Sequence, residues 1–163
     1  MDVQRTLAIL AKQEEEIRFE RFGNYDALKI GTLIAEKVKA SERPVAIRIY
    51  LDDIVVFQYT MKGKEEWHYG WATRKYEMVK ATGHSSMYAT LQNKFLGKWK
   101  EFEKDETKAF ACGGFPIRLK NGDMVGVVSI SGLVDPQDHE VIVSVLSEYI
   151  GLKAPTWATE DKG

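Results

Sequence analysis

Apolar residues at Val3, Leu7, Leu10 and Ile17, with Glu14 at the same spacing, predict an amphipathic helix from about Val3 to Phe19, acidic on its outer face at Glu14, Glu15 and Glu16. After Gly23, Asn24 is placed to cap a second helix that carries Leu28, Ile30, Leu33, Ile34 and Val38 and stops before Pro44. Gly31 inside it costs about 1 kcal/mol against alanine, which implies close packing on another element. The period then drops to two: Val45, Ile47, Ile49 and Leu51 alternate with Ala46, Arg48 and Tyr50. A turn at Asp52-Asp53 returns the chain through Ile54 to Tyr59, so these two strands pair as an antiparallel hairpin.

Helical spacing resumes from Glu65 to Val79, with Trp67, Trp71, Arg74, Lys75, Met78 and Val79 on adjoining faces and Gly83 as the stop. A further helix runs from Ser85 or Ser86 to about Phe95. A charged segment, Gly97 to Lys108, leads into an expected strand around Ala109, Phe110 and Ala111. Next comes a glycine-framed hairpin, in which Gly113-Gly114-Phe115-Pro116-Ile117 and Val125 to Leu133 flank a turn at Lys120 to Asp123. Gly113, Gly114, Gly126 and Gly132 are expected where a side chain would clash or φ is positive. Asp135 and Pro136 read as the cap and first residue of a last helix striped by Val141, Ile142, Val145, Leu146 and Tyr149. Hairpin-joined strands with grouped helices predict an α+β domain, an antiparallel sheet covered by helices. Residues 1–152 form one domain and 153–163, with Trp157, a tail.

At 163 residues the chain is one domain in size, and its net charge of −1 supplies no overall field for nucleic acid. The longest apolar run is too short to cross a bilayer, and the N-terminus lacks the pattern of a signal peptide. The lone Cys112 fits a reducing interior, so a cytoplasmic location is expected. No metal-ligand spacing is present: Glu101, Glu103, Asp105 and Glu106 are interleaved with lysines, the pattern of a solvated face. Ser85 and Ser86 adjoin His84 in sequence, and neighbours of that kind diverge rather than align as nucleophile and base. No catalytic residue is assigned.

One corner does point to a ligand. Arg74 and Lys75 near the end of one helix, His84 in the turn, and Ser85 and Ser86 at the start of the next can hold a phosphate or carboxylate between basic groups and helix-start amides. Trp71, Gly114, Phe115 and Pro116 would form the adjoining wall, the aromatic and proline rings covering an apolar body. The bland alternative is that Arg74 pairs with an internal carboxylate and the serines merely cap.

The motifs Trp71-Ala72-Thr73-Arg74-Lys75, Gly83-His84-Ser85-Ser86, Gly113-Gly114-Phe115-Pro116-Ile117, Gly126 to Gly132 and Asp138-His139 resemble the haem-degrading, HbpS-like (GlcG-like) domain family, and more narrowly uncharacterised protein family 0303, over roughly Ala27 to Leu152. The resemblance implies a profilin-like three-layer α/β/α fold, with a five-stranded antiparallel sheet and helices on both faces. It also implies a homo-oligomer, dimeric or higher, and haem as a cofactor to be tested. Haem iron takes an axial side chain from an apolar setting. Of the histidines, His139 reads as a surface cap, His68 as exposed, and His84 as the best ligand candidate, with a structural hydrogen bond in the helix junction as the favoured role. Three readings stay open: an oligomeric binder of a small anionic ligand without catalysis, a haem-binding or haem-degrading protein, and an interaction scaffold that uses the C-terminal tail.

Overall fold

A computed structural model of the protein describes residues 2–65 and 67–156. Trp157 lies outside the described residues, as does the side chain of Trp67. The elements run α1 (Val3–Glu16), β1 (Arg18–Phe19), α2 (Asn24–Val38), β2 (Ala46–Leu51), β3 (Ile54–Thr60), α3 (Trp67–Thr82), α4 (Ser86–Leu96), a 3-10 turn (Lys100–Phe102), β4 (Gly114–Leu119), β5 (Met124–Ser131) and α5 (Gln137–Tyr149). The sheet order is β1-β4-β5-β2-β3. Helices α2 and α5 cover one face of the sheet, and α3 and α4 the other, with α1 laid on α4. No helix among the described residues is long and apolar enough to cross a membrane.

Strand alternation divides the core between the two faces. Ile47, Ile49, Leu51, Phe115, Ile117, Val128 and Ile130 point toward α2 and α5, into the main cluster with Ile30, Ile34, Ile142 and Leu146. Tyr50 and Val127 point the other way, onto Tyr76 and Val79 of α3. The glycines of the central hairpin answer to close approach. A Cβ on Gly126 would stand 2.2 Å from the Tyr50 carbonyl oxygen, and one on Gly114 would stand 2.9 Å from a Val79 methyl. Gly113 and Gly132 have φ of +117° and +132°. Gly31 lets the Phe57 ring lie where a side chain would be, 2.4 Å from an added Cβ.

The structure departs from the sequence expectations at several points. The first helix ends at Glu16, and Arg18–Phe19 forms a short strand parallel to β4, so the sheet is mixed rather than wholly antiparallel. Two residues are too short a strand to show a period of two. Gly23, not Asn24, occupies the cap of α2, and its amide donates to Asp26 (2.8 Å). Residues 109–111 form no strand; Ala109 instead donates its amide to the carbonyl of Arg74, in the middle of α3 (3.2 Å). Helix α5 starts one residue later than expected, at Gln137. Ala154 packs into the core and the Pro155 carbonyl accepts from Gln13 (2.8 Å), so the start of the tail is part of the domain. Leu28 and Leu33 remain 50% and 45% exposed on α2.

Candidate functional site

The junction between α3 and α4 is built by Gly83, whose φ of +74° ends α3 while its amide still reaches the Val79 carbonyl (2.8 Å). Ser85 caps α4, its hydroxyl accepting from the Tyr88 amide at 3.1 Å. Between them His84 is held from outside the junction. Glu14, buried on α1, accepts the Ser85 amide on one oxygen (2.5 Å) and meets His84 Nδ1 with the other (3.1 Å). A carboxylate at Nδ1 fixes the proton there and leaves the Nε2 lone pair free. The imidazole is about one-third exposed and packs on the Tyr88 ring at 4.6 Å.

The other residues of the expected corner divide into three groups. Lys75 is buried beneath the junction and donates to the Ile130 carbonyl (2.7 Å) and to Asp138 (3.1 Å), whose second oxygen accepts the Leu133 amide (2.9 Å). Burial raises the Asp138 pKa to about 6, against the lowering effect of the Lys75 ammonium. Ser86 is also buried, and its hydroxyl accepts the Gly114 amide at 2.9 Å. Lys75, Ser86 and Gly114 therefore do meet, in a dry contact that ties α3 and α4 to the sheet. Arg74 turns away to the Lys108 carbonyl (3.1 Å) and lies over the Trp71 ring (4.7 Å), which is 40% exposed. Pro116 is buried on the α3 side of the sheet. Phe115 is fully buried on the opposite face, so it shares no wall with Trp71. The alternation of side chains along β4 separates them. The α4-start amide that an external anion was expected to take is occupied by Glu14.

The other two histidines differ from their expected settings. His139 is 1% exposed rather than on the surface, because α5 turns that residue inward against Phe115 (ring centroids 5.7 Å apart). Gln13 donates its amide to Pro155, so its oxygen accepts from His139 Nε2 at 2.7 Å, leaving Nδ1 buried without a partner. Burial alone pushes its pKa down to about 3. His68 is half-buried, and its Nδ1 lies against the Glu65 backbone, 2.9 Å from the amide nitrogen and 3.2 Å from the carbonyl oxygen. Cys112 is a buried thiol whose pKa burial raises to about 12, which rules out a resting thiolate. No metal-binding group of three His, Cys, Asp or Glu side chains occurs among the described residues.

Glu14, expected with Glu15 and Glu16 on the acidic outer face of the first helix, is instead buried against the His84 junction. It sits on the apolar stripe with Leu7, Leu10 and Ile17, and a carboxylate on a buried stripe is the signal that it has an internal partner.

Among known proteins, the chain is similar to a UPF0303 protein of Psychromonas ingrahamii, with 35% identity covering 92% of this chain and 96% of the relative. Its fold matches the crystal structure of the Ybr137w protein with a TM-score of 0.80 and 29% identity, covering 89% of this chain and 87% of that one. It also matches a protein solved as a PduOC:haem complex, with a TM-score of 0.64 and 16% identity, covering 83% of this chain and 99% of that one, a likeness of fold alone. The family model described as haem degrading protein HbpS-like matches residues 22–147, and the chain belongs to that family.

Proposed function

We propose that this protein binds haem, with His84 Nε2 as the axial ligand. The observation that carries the reading is the Glu14–His84 pair: a buried carboxylate at Nδ1 and a part-exposed Nε2 free to ligate are what a histidine needs to hold a metal in a fixed orientation. The remaining side chains fit less well. His139 is closed off from solvent, His68 holds its Nδ1 against the Glu65 backbone, and Cys112 is a protonated buried thiol. The family description and the haem complex of a protein with the same fold support the same cofactor. Bound haem would supply a redox-active iron; the chain's own part is to hold it through His84, with Glu14 setting the tautomer.

Self-association belongs to the same reading. Strand β3 is a free sheet edge and exposes Ile54, Val55 and Tyr59, while the adjoining α2 exposes Leu28 and Leu33. Apolar side chains along an open edge favour pairing with a second copy.

Titrating hemin into the purified protein and following the Soret band tests the ligand. The wild type is expected to saturate at one haem per chain, His84→Ala to lose the histidine-ligated spectrum, and Glu14→Gln to bind roughly tenfold or more weakly. An unchanged spectrum in His84→Ala contradicts the assignment.

A further inference from the structure

Beside the His84 junction, the first and second strands of the sheet place two arginines side by side. Arg18 of β1 and Arg118 of β4 are directly paired in the parallel ladder, so their side chains leave the same face. Arg118 donates to the Gly83 carbonyl (2.6 Å), next to His84, and to the Gly122 carbonyl (2.7 Å). Arg18 reaches the same glycine: its Nη1 lies 3.8 Å from where a Cβ on Gly122 would stand, and Gly122 has a φ of +97°. Both arginines are part-exposed.

Neither charge is answered. Among the described residues no carboxylate lies within 4.0 Å of either guanidinium, and the neighbouring acids have other partners. Glu14 serves His84 and Ser85, Glu16 faces Lys12 (4.0 Å), Glu20 pairs with Lys120 (3.0 Å), and Asp123 accepts from Asn121 (3.2 Å). Arg118 is fixed by carbonyls, which orient a guanidinium without neutralising it. Arg18 makes no hydrogen bond to a described residue, and its Nε is buried without a partner. Like charges are not set in register beside each other without cost unless something anionic lies between them. A guanidinium fork matches the paired oxygens of a carboxylate or phosphate.

We propose that Arg18 and Arg118 form an oxyanion site, with Arg118 as the fixed wall and Arg18 as the arm that closes on the ligand. A haem propionate and a free phosphate carry the same chemistry, and the position next to Gly83 suits either.

Two titrations separate these sources. Inorganic phosphate is titrated by calorimetry at low salt into the wild type and Arg18→Gln, a substitution that removes no hydrogen bond. Hemin and hemin dimethyl ester, which lacks the propionate charges, are then compared on both proteins. Saturable phosphate binding weakened roughly tenfold or more by Arg18→Gln supports the site as one for a free oxyanion. A loss of similar size on esterification, present in the wild type and absent in Arg18→Gln, supports it as the propionate clasp. Phosphate binding with no hemin binding leaves the site standing while the haem reading fails. The proposal is overturned if phosphate does not bind and Arg18→Gln leaves hemin affinity unchanged, or if phosphate binds both proteins equally. Arg118→Gln serves as a second variant, with thermal melting to confirm that the Gly83 junction is intact.

Discussion

Replacing His139 by glutamine should make the protein more resistant to acid relative to its own stability at neutral pH. In the folded protein the imidazole is buried against Phe115, its Nε2 proton is committed to Gln13, and Nδ1 faces no acceptor, so a second proton would create a buried cation with no partner. Its folded-state pKa is therefore depressed to about 3, against 6.5 when unfolded. A depressed pKa gives stability that is present above the unfolded value and lost as pH falls toward the folded one. At pH 4.5, two units below the unfolded value, the loss is about 3 kcal/mol. Asp138 acts in the opposite direction over much of the same range. Its pKa is raised from 3.8 to about 6, so its contribution is fully present below 3.8 and is lost as pH rises through 6. The two slopes oppose each other between about pH 4 and 6, which flattens the wild-type profile and hides the histidine. Urea unfolding of the wild type and His139→Gln at pH 7 and pH 4.5 exposes it. The stability difference between the two proteins should shift toward the variant by about 3 kcal/mol on acidification. Parallel changes in the two proteins, or an NMR titration in which the His139 ring protonates near pH 6 in the folded state, would refute the argument.

Other perturbations test the frame around the site. Gly126→Val drives a side chain into the Tyr50 carbonyl and should cost a few kcal/mol, measured by thermal melting; an unchanged melting temperature contradicts the close approach. Lys75→Ala strands the buried Asp138 carboxyl and should destabilise the domain by about 3 kcal/mol or more at pH 7, with a smaller loss at pH 4.5, where Asp138 takes up a proton. Light scattering at micromolar concentration should give a mass above the 18.6 kDa of one chain, and Ile54→Lys with Tyr59→Lys should lower it; a monomeric wild type contradicts pairing through β3.

The sequence made the fold legible wherever burial is periodic. The β2–β3 hairpin, the β4–β5 hairpin and the apolar stripe of α5 could all be read because side-chain period and turn chemistry agree there. Arg18–Phe19 could not, since two residues show no period and the pairing with β4 is decided by tertiary contact. The candidate corner was half legible. Gly83 as a helix stop and Ser85 as a helix cap are local signals that mark the junction. Nothing local, however, shows that Lys75 looks inward to Asp138, 63 positions away, or that Glu14 reaches across from α1 to fill the amide that an external anion was expected to take. A linear reading puts Phe115 and Trp71 in one wall because it does not assign them to faces; the pleat of β4 turns Phe115 to the side of the sheet away from α3. His139 looked like a surface cap from its place in a helix's first turn, and it is Gln13 and Phe115 that make that position interior.

The axial role of His84 is tested most directly by removing the ring and returning it from solution. His84→Gly is loaded with hemin, freed of unbound haem by gel filtration, and its protein-associated Soret spectrum recorded with and without added imidazole. Loss of the histidine-ligated band in the variant and its return with imidazole is the predicted result. A variant that keeps the wild-type spectrum without imidazole contradicts the assignment of His84 Nε2 as the ligand.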